Sequence, residues 1–261
     1  MGKTLIRKIA GFGERYRKRF LSHYDPAPLL TDWWLSLDFL LARICFQGRR
    51  DVISLKVYKA AIDVLGSHFR GADRDAKFVA LKSAGWEPLK EQLASRIGKG
   101  MVGKGRDREM VIGALDYIDR LPNRNIVPYS CAEIRAGRIK QHYASLLGIR
   151  QVGDKVASFY LRDLVSLYEL SGFIDDASAF CLQPVDVWVR RIAHTAGIAG
   201  PTEKDPAIRN GILKACREEG ISPLVFDQGA WYMGYHAFEL LLELLAEEGE
   251  EPLSAGGDAL A

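Results

Sequence analysis

The sequence predicts an all-α protein, and three observations predict it. Apolar residues recur at helical spacing along almost the whole chain, and no segment alternates apolar and polar residues as a half-buried strand would. Pro122, Pro128, Pro201 and Pro223 fall between the periodic segments, where a proline interrupts no hydrogen-bond ladder. A basic helix opens the chain. Asp32 then stands as an N-cap before a strongly apolar helix running from Trp33 to Phe46, whose wide apolar face implies burial on more than one side. The next helix runs from Ile53 to Leu65, with Gly66 read as its stop. Further helices are expected over 74–84, 86–96, 107–120, 131–147, 154–170, 184–196, 205–219 and 227–248.

At 261 residues the chain can form one large domain or two small ones sharing a cleft. Its 48% hydrophobic and 26% charged content argues against disorder. The net charge of +3 does not by itself suggest nucleic acid, but its distribution is uneven. Residues 1–20 hold seven bases against the single acid Glu14, and residues 239–251 hold six glutamates and no base. Such polarity suits either solvated helix faces or a protein with one face that attracts phosphates and another that repels them. Cys45, Cys131, Cys181 and Cys216 are scattered without a C-x-x-C pair, so all four are expected to be reduced structural thiols and no metal is expected. No apolar run reaches 18 residues, and the basic N-terminus lacks the apolar core of a signal peptide. A cytoplasmic or nucleoid-associated protein without a membrane partner is the expectation.

Two short stretches carry the chemistry. Around Gly148–Ala157 a tight glycine turn precedes Lys155, and downstream Asp186 follows Pro184 where a helix begins. A helix–turn–helix with glycine at its bend presents backbone N–H groups to a phosphate. A lysine on the next turn is a nucleophile once its amine is neutral, and burial beside other basic groups is the physical means of lowering its pKa from about 10.4. Alternatively, Lys155 is a phosphate-binding lysine and Asp186 a simple N-cap. The glycine-rich basic connection over 96–108 suits either a flexible loop or a contact with a nucleic-acid backbone; it lacks the Walker pattern.

The stretch from about Trp34 to Thr195 resembles the helix-hairpin-helix DNA glycosylase superfamily, which contains endonuclease III and the 8-oxoguanine glycosylases. The resemblance rests on Gln151-Val152-Gly153-Asp154-Lys155-Val156-Ala157 and on Pro184-Val185-Asp186-Val187, with Gln151 standing where the family's hairpin has its first glycine. It implies that Lys155 attacks the sugar C1′, expels the damaged base and leaves a Schiff base that proceeds to β-elimination. Asp186 would stabilise positive charge on the sugar and help deprotonate Lys155. The hairpin residues Arg150, Gln151, Val152 and Gly153 would hold DNA phosphates. Phe46–Ser54 falls where endonuclease III relatives carry Ser-Ala-Gln-x-x-Asp-x-x-Val. By that match Gln47 would fill the gap left by an extruded nucleotide, with Arg49 and Arg50 on phosphates. Gln228 and Trp231 lie where 8-oxoguanine glycosylases place a glutamine and an aromatic ring for base recognition; Trp231 equally fits core packing, and Trp33, Trp34 and Trp188 are read as structural. The family's iron–sulfur pattern of four cysteines is absent, so no cluster is expected, which leans toward the 8-oxoguanine branches. The Lys155–Asp186 spacing exceeds that of endonuclease III, as in the archaeal 8-oxoguanine branch.

The expected architecture is two helical subdomains flanking a DNA-binding cleft. Residues 29–175 would form a central helical barrel ending in the helix-hairpin-helix, and 1–28 plus 176–261 a second lobe, with Lys155 and Asp186 facing each other from different lobes. The expected activity is that of a bifunctional DNA N-glycosylase and AP lyase, acting on 8-oxoguanine in double-stranded DNA as a monomer without a cofactor. The alternatives are a glycosylase for oxidised pyrimidines or another modified base, a noncatalytic helix-hairpin-helix DNA-binding protein, and a helical interaction protein.

Overall fold

The computed structural model describes residues 3–46 and 50–237, and the chain forms two compact units. One comprises Arg17–Asp186; the other joins Met1–Tyr16 to Val187–Ala261. The sequence placed these junctions at 28/29 and 175/176. Among the described residues the structure is helical, with one isolated bridge, Ile97 to Val102, and no strand.

The N-terminal helix α1 (Lys3–Tyr16) packs along α13 (Pro223–Tyr235), and α11 (Val187–Thr195) and α12 (Asp205–Glu219) complete that unit. Glycine makes the α1–α13 contact close. A Cβ on Gly229 would lie 1.9 Å from the Ile9 carbonyl oxygen, and one on Gly13 would lie 2.6 Å from that of Val225. The backbones therefore touch at a spacing no other residue permits.

In the Arg17–Asp186 unit a short π-helical turn (Arg17–Leu21) and α2 (Pro26–Thr31) lead into α3 (Trp33–Ile44). Asp32 caps α3 as expected, its side chain accepting from the Trp34 and Leu35 N–H groups at 2.8 and 3.3 Å. Leu37, Phe39, Leu40 and Leu41 are fully buried, because α3 packs against α2, α4 (Asp51–Phe69), α7 (Gly105–Asp119), α8 (Ile126–Arg135) and α10 (Asp154–Leu167). Truncating one of these leucines to alanine costs about 2–5 kcal/mol. Trp33 is structural: it meets Phe69 and Phe78 edge-on and donates its indole N–H to Asp75. A buried charge cluster ties α3 to α10, with Asp163 accepting from Arg43 at 3.2 Å and from Arg162 at 2.9 Å. Around this core lie α5 (Arg74–Ser83), α6 (Glu87–Ala94) and α9 (Ile139–Leu147), together with 3-10 turns at Pro122–Arg124, Leu170–Phe173 and Ala179–Leu182.

Two glycines act differently from expectation at helix ends. Gly66 does not stop α4, which continues to Phe69; Gly66 is helical and buried against the side chain of Arg70. The segment expected as one helix over 131–147 is two. Gly137 (φ 71°) ends α8 with the N–H of Arg138 bonded to the Glu133 carbonyl at 2.8 Å and its own N–H to that of Ile134 at 2.9 Å. Pro128, expected between helices, sits in the first turn of α8, where its missing N–H costs no intrahelical bond. All four cysteines are buried and outside any disulfide. No described helix is long and apolar enough to cross a membrane.

Candidate active site

The turn joining α9 to α10 spans 148–153. Ile149 and Val152 are buried beneath it, with the Val152 N–H bonded to the Ile149 carbonyl at 2.9 Å, while Arg150, Gln151 and Gly153 face solvent. Gln151 has φ 66°, the left-handed region that favours glycine. The bend thus keeps the conformation a glycine would supply, at a cost of about 1–2 kcal/mol for a residue bearing a Cβ. Gly153 differs. Its φ of −103° is open to any residue and a Cβ there meets nothing within 4 Å, so neither strain nor the protein's own packing requires glycine. What its hydrogen side chain does is leave the backbone at the start of α10 uncovered, with no side-chain cap over the first turn.

Lys155 is the second residue of α10 and is half-buried, between exposed Asp154 and buried Val156. Asp186, also half-buried, directly precedes α11. Asp51, the first residue of α4, senses both. Burial raises the Asp51 carboxyl above its ordinary range; the Lys155 ammonium lowers it and the Asp186 carboxylate raises it again. Lys155 and Asp186 therefore each lie within electrostatic reach of Asp51. All three belong to the Arg17–Asp186 unit, which corrects the expectation that Lys155 and Asp186 stand on different lobes. The division falls after Asp186 because α11 packs on α13, where Gly234 lets Trp188 approach: a Cβ on Gly234 would lie 2.6 Å from that of Trp188.

Asp51 received no role from the sequence: with Gln47 in register the aspartate of Ser-Ala-Gln-x-x-Asp falls on Arg50, one residue earlier. Of the DNA-contact candidates before it, Gln47 and Arg49 lie outside the described residues. Arg50 is exposed, and its carbonyl accepts from Ile53 at 2.9 Å as α4 begins. Arg150 is exposed and pairs with Glu109 at 3.1 Å. A cavity of about 700 Å³ adjoins the turn through Gly148 and Arg150, but its lining mixes Lys90, Arg108 and Arg120 with Glu91, Glu109 and Asp116 and includes neither Lys155 nor Asp186. Its charges offset one another, so it points to no ligand class.

Gln228 and Trp231 belong to the other unit. Gln228 is fully buried in α13, and neither atom of its side-chain amide has a hydrogen-bond partner among the described residues. Trp231 is half-buried, stacked on Tyr235 at 4.8 Å and meeting Tyr16 edge-on at 5.6 Å. Among the described residues no group of His, Cys, Asp and Glu is arranged to hold a metal ion.

Comparisons with protein-family models, with curated proteins and with solved structures return no match to this chain.

Proposed function

We propose that this protein is a DNA N-glycosylase with AP lyase activity in base excision repair, acting through Lys155. The observation that carries the proposal is the placement of Lys155 and Asp186 in one unit, each within electrostatic reach of Asp51, with Lys155 at the foot of a helix that has no side-chain cap among the described residues. A lysine used only to hold phosphate gains nothing from two neighbouring carboxylates; a lysine that must lose a proton and attack a sugar gains from both.

In the proposed reaction the neutral amine of Lys155 forms a bond to C1′ as the N-glycosidic bond breaks, and the electron pair leaves on the base, which takes up a proton. Opening of the C1′–O4′ bond gives the Schiff base. Loss of a C2′ proton then expels the 3′ phosphate, breaking the strand. Asp51 suits the role of proton acceptor for Lys155, since burial raises its basicity. Asp186 supplies negative charge for the positive sugar. An oxidised purine such as 8-oxoguanine is the proposed lesion, on the resemblance of the motifs.

The test is borohydride trapping on a duplex with one abasic site and on 8-oxoguanine duplexes, comparing the wild type with Lys155→Gln. A covalent protein–DNA complex is expected with the wild type and none with the variant. If the wild type traps no better than Lys155→Gln on either duplex, the lyase is refuted and the protein is a binder or a monofunctional glycosylase.

A further inference from the structure

The loop between α6 and α7 is basic and firmly built. Residues 95–106 contain Arg96, Lys99, Lys104 and Arg106 and no acid, and all four bases are exposed. Ile97 is buried and bridges to Val102; the Gly98 N–H reaches the Val102 carbonyl at 3.0 Å, and Arg108 donates to the Ile97 carbonyl at 2.9 Å. Asp107, the first acid after the loop, is buried and accepts the Lys104 backbone N–H at 2.7 Å, so its charge is spent inside. Gly103 (φ 74°) sits directly on α4, where a Cβ would lie 2.6 Å from a methyl of Val57.

The exposed face of α4 beside this anchor carries Lys56 and Lys59, with Asp63 its one acid. None of Lys56, Lys59, Arg96, Lys99, Lys104 and Arg106 has an ion-pair partner among the described residues. Other surface bases of the same unit are paired, among them Lys77 with Asp73 at 3.0 Å, Lys90 with Glu87 at 2.7 Å and Arg138 with Glu133 at 2.6 Å. A cluster of six unbalanced positive charges on one firmly built surface suits a polyanion. The surface begins at the helix that Asp51 opens. From Asp51 to Lys59, α4 advances about 12 Å, the length of three to four nucleotide steps at about 3.4 Å each.

We propose that this loop and the exposed face of α4 form a second phosphate-binding surface, separate from the α9–α10 turn, which holds the DNA strand flanking the site. The inference rests on the nucleic-acid reading above but not on the lysine chemistry. The test measures duplex affinity against salt concentration by fluorescence anisotropy. It compares the wild type, the triple variant Lys56→Ala/Lys59→Ala/Lys99→Ala and a control, Lys77→Ala/Lys90→Ala/Arg138→Ala, that removes three paired bases. The first triple variant should bind with a log–log salt slope shallower by about 2.7, at about 0.9 for each phosphate left without its lysine, while the control keeps the wild-type slope. Borohydride trapping at saturating protein should be unchanged in both, since Lys155 is intact. A triple-variant slope equal to that of a wild type that binds DNA overturns this surface and leaves the function standing. A wild type with no salt-dependent duplex binding overturns both.

Discussion

Acidification should weaken the fold through His142, and the size of the effect follows from its surroundings. His142 lies on α9, the helix that leads into the turn, and is buried among Ser130, Tyr117 and Tyr160. Ser130 Oγ donates to the Ile126 carbonyl at 2.7 Å. Its two lone pairs therefore accept from His142 Nε2–H at 2.7 Å and from the Tyr160 hydroxyl at 2.9 Å. That accounting puts a proton on Nε2, and burial pushes the His142 pKa down to about 4 from an ordinary 6.5, which keeps the imidazole neutral near pH 7. A histidine with a depressed folded-state pKa adds its full stability above pH 6.5 and loses it as pH falls toward 4. One proton across that gap, at about 1.4 kcal/mol per pH unit, amounts to about 3 kcal/mol. Urea unfolding of the wild type and His142→Gln between about pH 7.5 and pH 4.5 isolates the effect, because Asp38 and Asp51, both raised by burial, titrate in both proteins and cancel in the difference. The stability advantage of the wild type should shrink by about 2.5 kcal/mol over that range. An advantage that stays constant with pH would show that the imidazole is not held neutral and would refute the reasoning.

Two further outcomes are expected at the site. Gln151→Gly should stabilise the protein by about 0.5–1 kcal/mol in denaturant unfolding, since relief of left-handed strain exceeds the extra chain entropy glycine brings to the unfolded state; a loss of stability would mean that the side chain, not the backbone, sets the bend. Asp51→Asn should slow Schiff-base formation about 100-fold and remove the rising acid limb of its pH profile, which the raised Asp51 pKa places above 3.8; an unchanged profile would deny Asp51 the proton.

The sequence carried much of the helical order because that order is local. The Asp32 cap and the helix Asp205–Glu219 stand where capping and periodicity put them. Two glycines show where local rules fail. Gly66 and Gly137 are alike in isolation, but Leu65 and Phe69 continue one apolar stripe past Gly66 into the core, and burial of Phe69 holds the helix together. Gly137 is exposed and free to turn left-handed, so the helix ends there. Lys155 and Asp186 were visible through the pattern around each. Asp51 was not, because its significance lies in which residues it meets after folding, more than a hundred positions along the chain.

That placement bears on how Lys155 would act as a nucleophile in the proposed reaction. Asp51 is the first residue of α4 and Lys155 the second of α10, so each occupies the turn where a helix's partial positive charge lies. That location favours a carboxylate and disfavours an ammonium. Burial acts the other way on Asp51, raising its affinity for a proton. On Asp51 burial outweighs the pull of its own helix terminus and makes the carboxylate the better proton acceptor. In the proposed transfer the ammonium of Lys155 becomes a neutral amine and Asp51 a neutral acid, which leaves Asp186 as the anion. In the proposed reaction that anion then faces the positive charge developing on the sugar, with no second carboxylate left to compete for the amine's electron pair through a retained proton. Two carboxylates around one lysine are thus not redundant, because the chemistry needs one to take a proton and the other to keep its charge.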